Sequence, residues 1–378
     1  MRVFRCDCGL LVFFENTQCV NCEHRLAYLP DLGRVAAIHS NGVVWHATLP
    51  KAHDAGYRLC ANYSQHNVCN WAVPADDPDT LCASCRLTTV IPNLQVAGHK
   101  DAWAKLEAAK RRLVYSLQRL GLPLPSASDD ENRLSFEFLA DEEGKPVLTG
   151  HAGGTITVNI AEADDAERER RRLELGEPYR TILGHFRHES GHYFWDRLIQ
   201  DRPGHAAFRK LFGDEREDYA TALEQHHGQG APTNWPDCFI SAYASAHPWE
   251  DWAESWAHYL HMTDALETAA DCGLSLRGRR PGDPAMKASP RLETPHTFAE
   301  MCDDWFALTY VLNNLNRGLG LQDGYPFVLN SPVLEKLRFI HDVIHLREWE
   351  ERDSSAEEEE VASILTGEDR QLPRNGSA

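Results

Sequence analysis

The chain has no apolar run near the roughly 20 residues needed to span a bilayer. Its start, MRVFRCDCGL, places Arg5, Cys6 and Asp7 too early for the apolar core of a secretory leader. It is also poor in positive charge, with 38 Lys and Arg against 57 Asp and Glu and a net charge of −19. That balance repels nucleic acid and anionic membranes and argues against both as the main partner. The expected location is cytoplasmic and reducing, where clustered cysteines hold metal rather than disulfides. What remains is an ordinary globular composition, 42% hydrophobic and 25% charged, in a chain of 378 residues with room for two or three domains.

The charge deficit is uneven. Residues 1–90 hold seven basic and eight acidic residues and are nearly neutral, whereas residues 348–378 hold ten acidic residues and three Arg. The latter stretch, with Glu357 to Glu360 in a row, reads as an acidic, disordered tail or a loosely held helix.

Eight of the eleven cysteines fall within the first 85 residues, in two groups of four. Cys6, Cys8, Cys19 and Cys22 form the first; Cys60, Cys69, Cys82 and Cys85 form the second. Paired thiolates from two turns can close a tetrahedral zinc site with no open position, so each group is expected to be structural. The Cys6-x-Cys8 gap is one residue shorter than the usual pair, which leaves open whether that site is regular. The stretch LTTVIPNL is expected to close this region, and the isolated Cys238, Cys272 and Cys302 to be core residues.

Further on, Trp103, Leu106, Leu113, Leu117 and Leu120 recur at helical spacing and predict a helix over 100–121. Leu134, Phe136 and Phe138 alternate with polar residues, as do Ile156, Val158 and Ile160 after Gly153-Gly154, which predicts two strands. From 177 onward helical patterns dominate. His226-His227 reads as an exposed pair in a glycine-rich turn.

Residues 181–198, TILGHFRHESGHYFWDRL, contain His188-Glu189-Ser190-Gly191-His192. Positions i and i+4 share one helix face, so both imidazoles can bind one zinc, with Glu189 beside them as a base. The five-residue match is short, and the apolar residues on either side of it supply the context of a largely buried helix. A hydrolytic site needs a third protein ligand and one open position. The expected source is a second helix, from Pro248 to about Met262, on which Glu250 and Glu254 share a face. Glu250 is the expected ligand and Glu254 the acid behind it, accepting from a ligand histidine; the swapped assignment fits the same spacing. Tyr243, just upstream, is a candidate donor to an oxyanion, or simply a packed aromatic with a bonded hydroxyl.

HFRHESGHYFWDRL with AYASAHPWEDWAESWAHYLH resembles a bacterial family of zinc-dependent metallopeptidases that carry an N-terminal zinc-ribbon region. The resemblance extends to FENTQCVNC, CNWAVPADDPDTLCASC, TVNIAEADDAERERRRLELGEPYR and LNNLNRGLGLQDGYPFVL, and so covers most of residues 1–345. It implies a gluzincin-like peptidase. More loosely, zincins of the thermolysin and lethal-factor kinds take a Glu from a later helix with an acid four residues on, which corresponds to Glu250 and Glu254. In lethal-factor-like enzymes a Tyr shortly before the ligand Glu assists, which corresponds to Tyr243.

The expected fold is α+β: a zinc-ribbon region over residues 1–90, a mainly helical zincin-like domain with a small β-sheet over 91–347, and the tail over 348–378. The expected cofactors are one catalytic zinc and up to two structural ones. The expected partner is a peptide or protein substrate, paired with the sheet edge expected at Thr155 to Asn159; the ribbons are a possible protein-docking module. Two other readings compete: a binding module with a structural or inactive HExxH site, and a zinc amidohydrolase acting on a non-peptide substrate.

Overall fold

The computed structural model describes residues 2–42, 44–49, 55–125, 133–142, 144–174, 177–287 and 297–345. The acidic tail lies outside the described residues. Packing divides the chain into two compact units between Tyr193 and Phe194, inside one helix.

The first unit opens with a small antiparallel pair, β1 (Phe4–Arg5) and β2 (Leu11–Val12). Next comes a five-stranded antiparallel sheet: β3 (Arg25–Leu29), β4 (Arg34–Ser40), β5 (Trp45–Ala47), β6 (Gly56–Leu59) and β7 (Ala72–Pro74), in that order. Its ends approach each other: the Tyr28 N–H donates to the Asn70 carbonyl at 2.9 Å, and Tyr28 pairs with Trp71 in a parallel bridge. Four successive residues in β3 (26–29) and in β4 (35–38) are at most 2% exposed. Strands covered on both faces show no alternation, which is why this sheet left no period-two trace in the sequence. The short α1 (Ala61–Ser64) lies between β6 and β7.

A second sheet of four strands has the order β10-β11-β9-β8, formed by β8 (Thr88–Val90), β9 (Ser135–Leu139), β10 (Gly150–Ala152) and β11 (Thr155–Asn159). β8, β9 and β11 run parallel; β10 is antiparallel to β11. The LTTV stretch supplies β8 of this sheet. One expectation changes here: Thr155–Asn159 is not an edge, since β11 lies between β9 and β10; the outer strands are β10 and β8. The predicted helix is α2 (His99–Arg119), and α3 (Asp165–Glu174) precedes α4 (Ile182–Leu198). Phe186 of α4 meets Phe136 and Phe138 of β9, at 5.5 and 6.2 Å between ring centroids.

The second unit is helical. Its elements are the end of α4, then α5 (His205–Phe212), α6 (Tyr219–Gln229), α7 (Pro248–Asp271), α8 (Phe298–Gly318) and α9 (Ser331–Ile344). Pro248 occupies the first turn of α7, as expected, but α7 runs to Asp271 rather than to about Met262. Within this unit Phe194 stacks on Trp256 at 5.0 Å, and Trp195 meets Trp249 edge-on at 6.3 Å, so the last turns of α4 pack on α7. His226 and His227 lie on α6 rather than in a turn. Of the three isolated cysteines only Cys302 is in the core; Cys238 and Cys272 are exposed. No helix among the described residues is long and apolar enough to cross a membrane.

α5 ends at Gly213, whose φ of +105° lets the chain turn back while its backbone passes close to Pro248. Just beyond, Glu215 accepts from Arg209 at 2.9 Å and lies 2.9 Å from the His205 ring. The Arg209 guanidinium pulls the Glu215 carboxyl down to about 2. A depressed folded pKa contributes stability above the ordinary glutamate range and loses it as pH falls through about 2. Acid unfolding followed by circular dichroism is expected to show this loss in the wild type, and a shallower pH dependence in Glu215→Gln.

Candidate metal centres

Both cysteine groups are assembled. One ligand atom from each of Cys6, Cys8, Cys19 and Cys22 lies within 4.8 Å of the others, and the same holds for Cys60, Cys69, Cys82 and Cys85. Four thiols at such separation fit one tetrahedral zinc. The irregular first gap is absorbed by Gly9: the chain turns back after Cys8 with φ +87° at Gly9, whose N–H donates to the Cys6 carbonyl at 2.8 Å. The thiols of this site differ in character. Burial pushes Cys6 up to about 12, whereas the Asn21 side chain pulls the exposed Cys8 down to about 6. Cys8 is therefore the readier thiolate.

The second group is wholly buried. Backbone N–H groups of Trp71, Cys82 and Cys85 donate to Cys69, Cys60 and Cys82 sulfurs, each at 3.4 Å. Burial pushes Cys82 well up, so its thiolate needs an ion or a cation nearby. Helix α2 supplies both cations and a carboxylate. The Arg111 guanidinium donates to the Val68 carbonyl at 2.7 Å, and the Cys69 sulfur raises its pKa against the larger, opposing effect of burial. Glu107 and Lys110, both 0% exposed, pair at 3.0 Å. Glu107 also accepts from Trp103 at 3.2 Å and from Thr88 of β8 at 2.7 Å, and Lys110 donates to that same Thr88 hydroxyl. Nothing in the residue pattern marked these partners, because a Lys and a Glu three apart on a helix read as a solvated face.

On α4 the first unit presents His188 and His192 with ring centroids 5.0 Å apart, His188 half-buried and His192 buried. Glu189 between them is half-buried. Thr181 caps this helix, accepting from the Gly184 N–H at 2.9 Å. One turn before His188, the His185 ring lies 3.5 Å from Glu162, itself buried between Arg171 and Arg180 at 3.0 and 3.1 Å. His151, on the outer strand β10, stacks on His192 at 6.2 Å. Burial pushes His151 down to about 4, so its ring is neutral at pH 7, and it accepts from the Gly154 N–H at 3.2 Å through Nε2. The strand after Gly153-Gly154 was legible in the sequence; the hairpin it forms with β10 and the meeting of His151 with His192 were not.

In the second unit, three acids at the start of α7 each have their own partner. Tyr219 donates to Glu250 at 2.6 Å, Lys336 of α9 pairs with Asp251 at 2.6 Å, and Ser241 donates to Glu254 at 2.7 Å. Glu250 is 1% exposed and Asp251 0%. Tyr243 lies in a 3-10 turn, Tyr243–Ala246, before α7, with His226 edge-on at 5.9 Å. His258 bonds the Tyr325 hydroxyl at 2.9 Å and packs on Phe327, inside the fold.

These features define a zinc-ribbon region with two four-cysteine sites, followed by a mostly helical body with small sheets. Residues 99–343 match the model of a family described as "Putative zinc-binding metallo-peptidase", and residues 3–96 match a zinc-ribbon domain. The chain belongs to that metallopeptidase family. It is 43% identical over 347 residues, 91% of this chain and 95% of the relatives, to proteins of Mycobacterium bovis and of two strains of Mycobacterium tuberculosis, each described as uncharacterized. No solved structure matches it significantly.

Because the second cysteine site shares buried charges with α2, the ribbon region is expected to be inseparable from the body that α2 begins. A chain lacking residues 1–90 would bare Glu107, Lys110 and Arg111. It is expected to lose cooperative thermal unfolding by circular dichroism; a sharp transition at the full-length temperature would contradict this.

Proposed function

We propose that the chain is a gluzincin-like zinc peptidase in which His188, His192 and Glu250 hold the catalytic ion. What supports this reading is the donor set: His188 and His192 lie side by side on α4 with ring centroids 5.0 Å apart, and Glu250, in the first turn of α7, is an acid only 1% exposed. Two imidazoles and a carboxylate are the donor set zinc takes in hydrolytic sites, so the residues fit the ion. We assign Glu250 as the ligand and Glu254, which accepts from Ser241 at 2.7 Å, as the acid behind it. Zinc held there supplies Lewis acidity, making water acidic enough to lose a proton near pH 7.

The remaining work belongs to side chains of this chain. Glu189 takes the proton from the attacking water and returns it to the leaving amine. Tyr243 donates to the oxyanion. An extended substrate pairs along β10, an outer strand, whose His151 stacks on a proposed ligand. Residues 91–347 form the hydrolase and residues 1–90 carry the two structural zinc ions and a surface for a protein partner. The eight clustered thiols suit a reducing, cytoplasmic setting.

Glu189→Gln is the direct test of mechanism. The variant is expected to keep its full metal content and to cleave a mixed peptide library, followed by mass spectrometry, about 10²–10⁴-fold more slowly. Cleavage at the wild-type rate with metal retained would remove Glu189 from the chemistry.

A further inference from the structure

We infer that Tyr219 is the positioning residue that presets Glu250 to receive the ion; this rests on the metal-site reading above. The Tyr219 hydroxyl donates to Glu250 Oε1 at 2.6 Å, a short bond to a carboxylate that is 1% exposed. A buried carboxylate keeps its charge and its rotamer when a donor fixes one oxygen.

The phenol is itself held in place. Tyr219 is the first residue of α6, and Asp218 before it caps the helix by accepting from the Thr221 N–H at 2.7 Å. The ring meets His247 edge-on at 5.2 Å and Trp249 at 5.8 Å. His247 caps α7: its Nδ1 accepts from the Trp249 N–H at 3.1 Å. The ring proton therefore sits on Nε2, which donates to the Glu217 carbonyl at 3.2 Å. Glu217 lies two residues before Tyr219, so the start of α6 and the start of α7 are tied by a closed circuit through Glu217, His247, Trp249, Tyr219 and Glu250. All of it lies in the second unit. A tyrosine that only packed would need its ring contacts alone; the hydroxyl aimed at Glu250 is the part that packing does not require.

Partners of this kind, which orient a metal ligand from behind, typically contribute 10–100-fold to metal affinity. The test is zinc competition against a chromophoric chelator on the full-length protein, comparing wild type with Tyr219→Phe and Ser241→Ala. Tyr219→Phe is expected to weaken the third zinc by about 10–100-fold. The two cysteine sites should stay full and the far-ultraviolet circular dichroism should be unchanged, a combination that a general loss of structure does not produce. A third-site affinity within about twofold of wild type would overturn the inference while leaving the metal site standing. A larger loss in Ser241→Ala than in Tyr219→Phe would overturn it by handing the ligand role to Glu254. A wild-type protein that binds zinc only at its cysteines would overturn both the inference and the reading beneath it.

Discussion

Taking a carboxylate out of water is costly unless donors or cations replace the water, and this constraint organises both units. Glu107 and Asp251 are 0% exposed; Glu162 and Glu250 are 1% exposed. Three of them meet cations: Glu107 meets Lys110, Glu162 meets Arg171 and Arg180, and Asp251 meets Lys336. Each pairing joins one element to another or fixes a helix in place. Glu162 ties α3 to the segment before α4, and Asp251 ties α7 to α9. Glu250 bonds a phenol, and it is the acid proposed to meet a metal ion. Burial pushes the Asp251 carboxyl up to about 7 even beside Lys336, which shows how strongly the interior of α7 disfavours bare charge.

The cysteine sites follow the same rule. Four thiolates around one dication leave a net negative charge, and at the second site this lies in a fully buried group. Arg111 and Lys110 stand nearby on α2, a helix that sequence comparison assigns to the peptidase family rather than to the ribbon domain. Sequence families and folding units therefore divide this chain differently, and the unit boundary at Tyr193 and Phe194 cuts through α4 itself.

Much of this was legible in the sequence where one residue pattern dictates one geometry. Helical periodicity located α2 nearly to the residue, the i and i+4 rule put His188 and His192 side by side, and Pro248 marked the start of α7. Eight cysteines in two sets of four pointed to both ribbon sites. The misses share a cause. β3 and β4 are covered on both faces and show no alternation. β11 alternates well, but alternation does not say whether a strand is central or outer. Glu107 with Lys110, and Tyr219 with Glu250, are pairings whose energy comes from burial, which local spacing does not encode. Cys238 and Cys272 were read as core from residue type alone, yet each falls at the end of a helical segment, where the chain is exposed.

A third metal ion, held by α4 and α7, is the central claim. Zinc content per chain, measured by atomic emission on protein purified without added metal, tests it most directly. About three zinc ions in the wild type and about two in His188→Ala is the predicted result, the remaining two belonging to the cysteine sites. About two ions in both proteins would contradict the claim, because the ribbon sites would then bind all the zinc the chain holds.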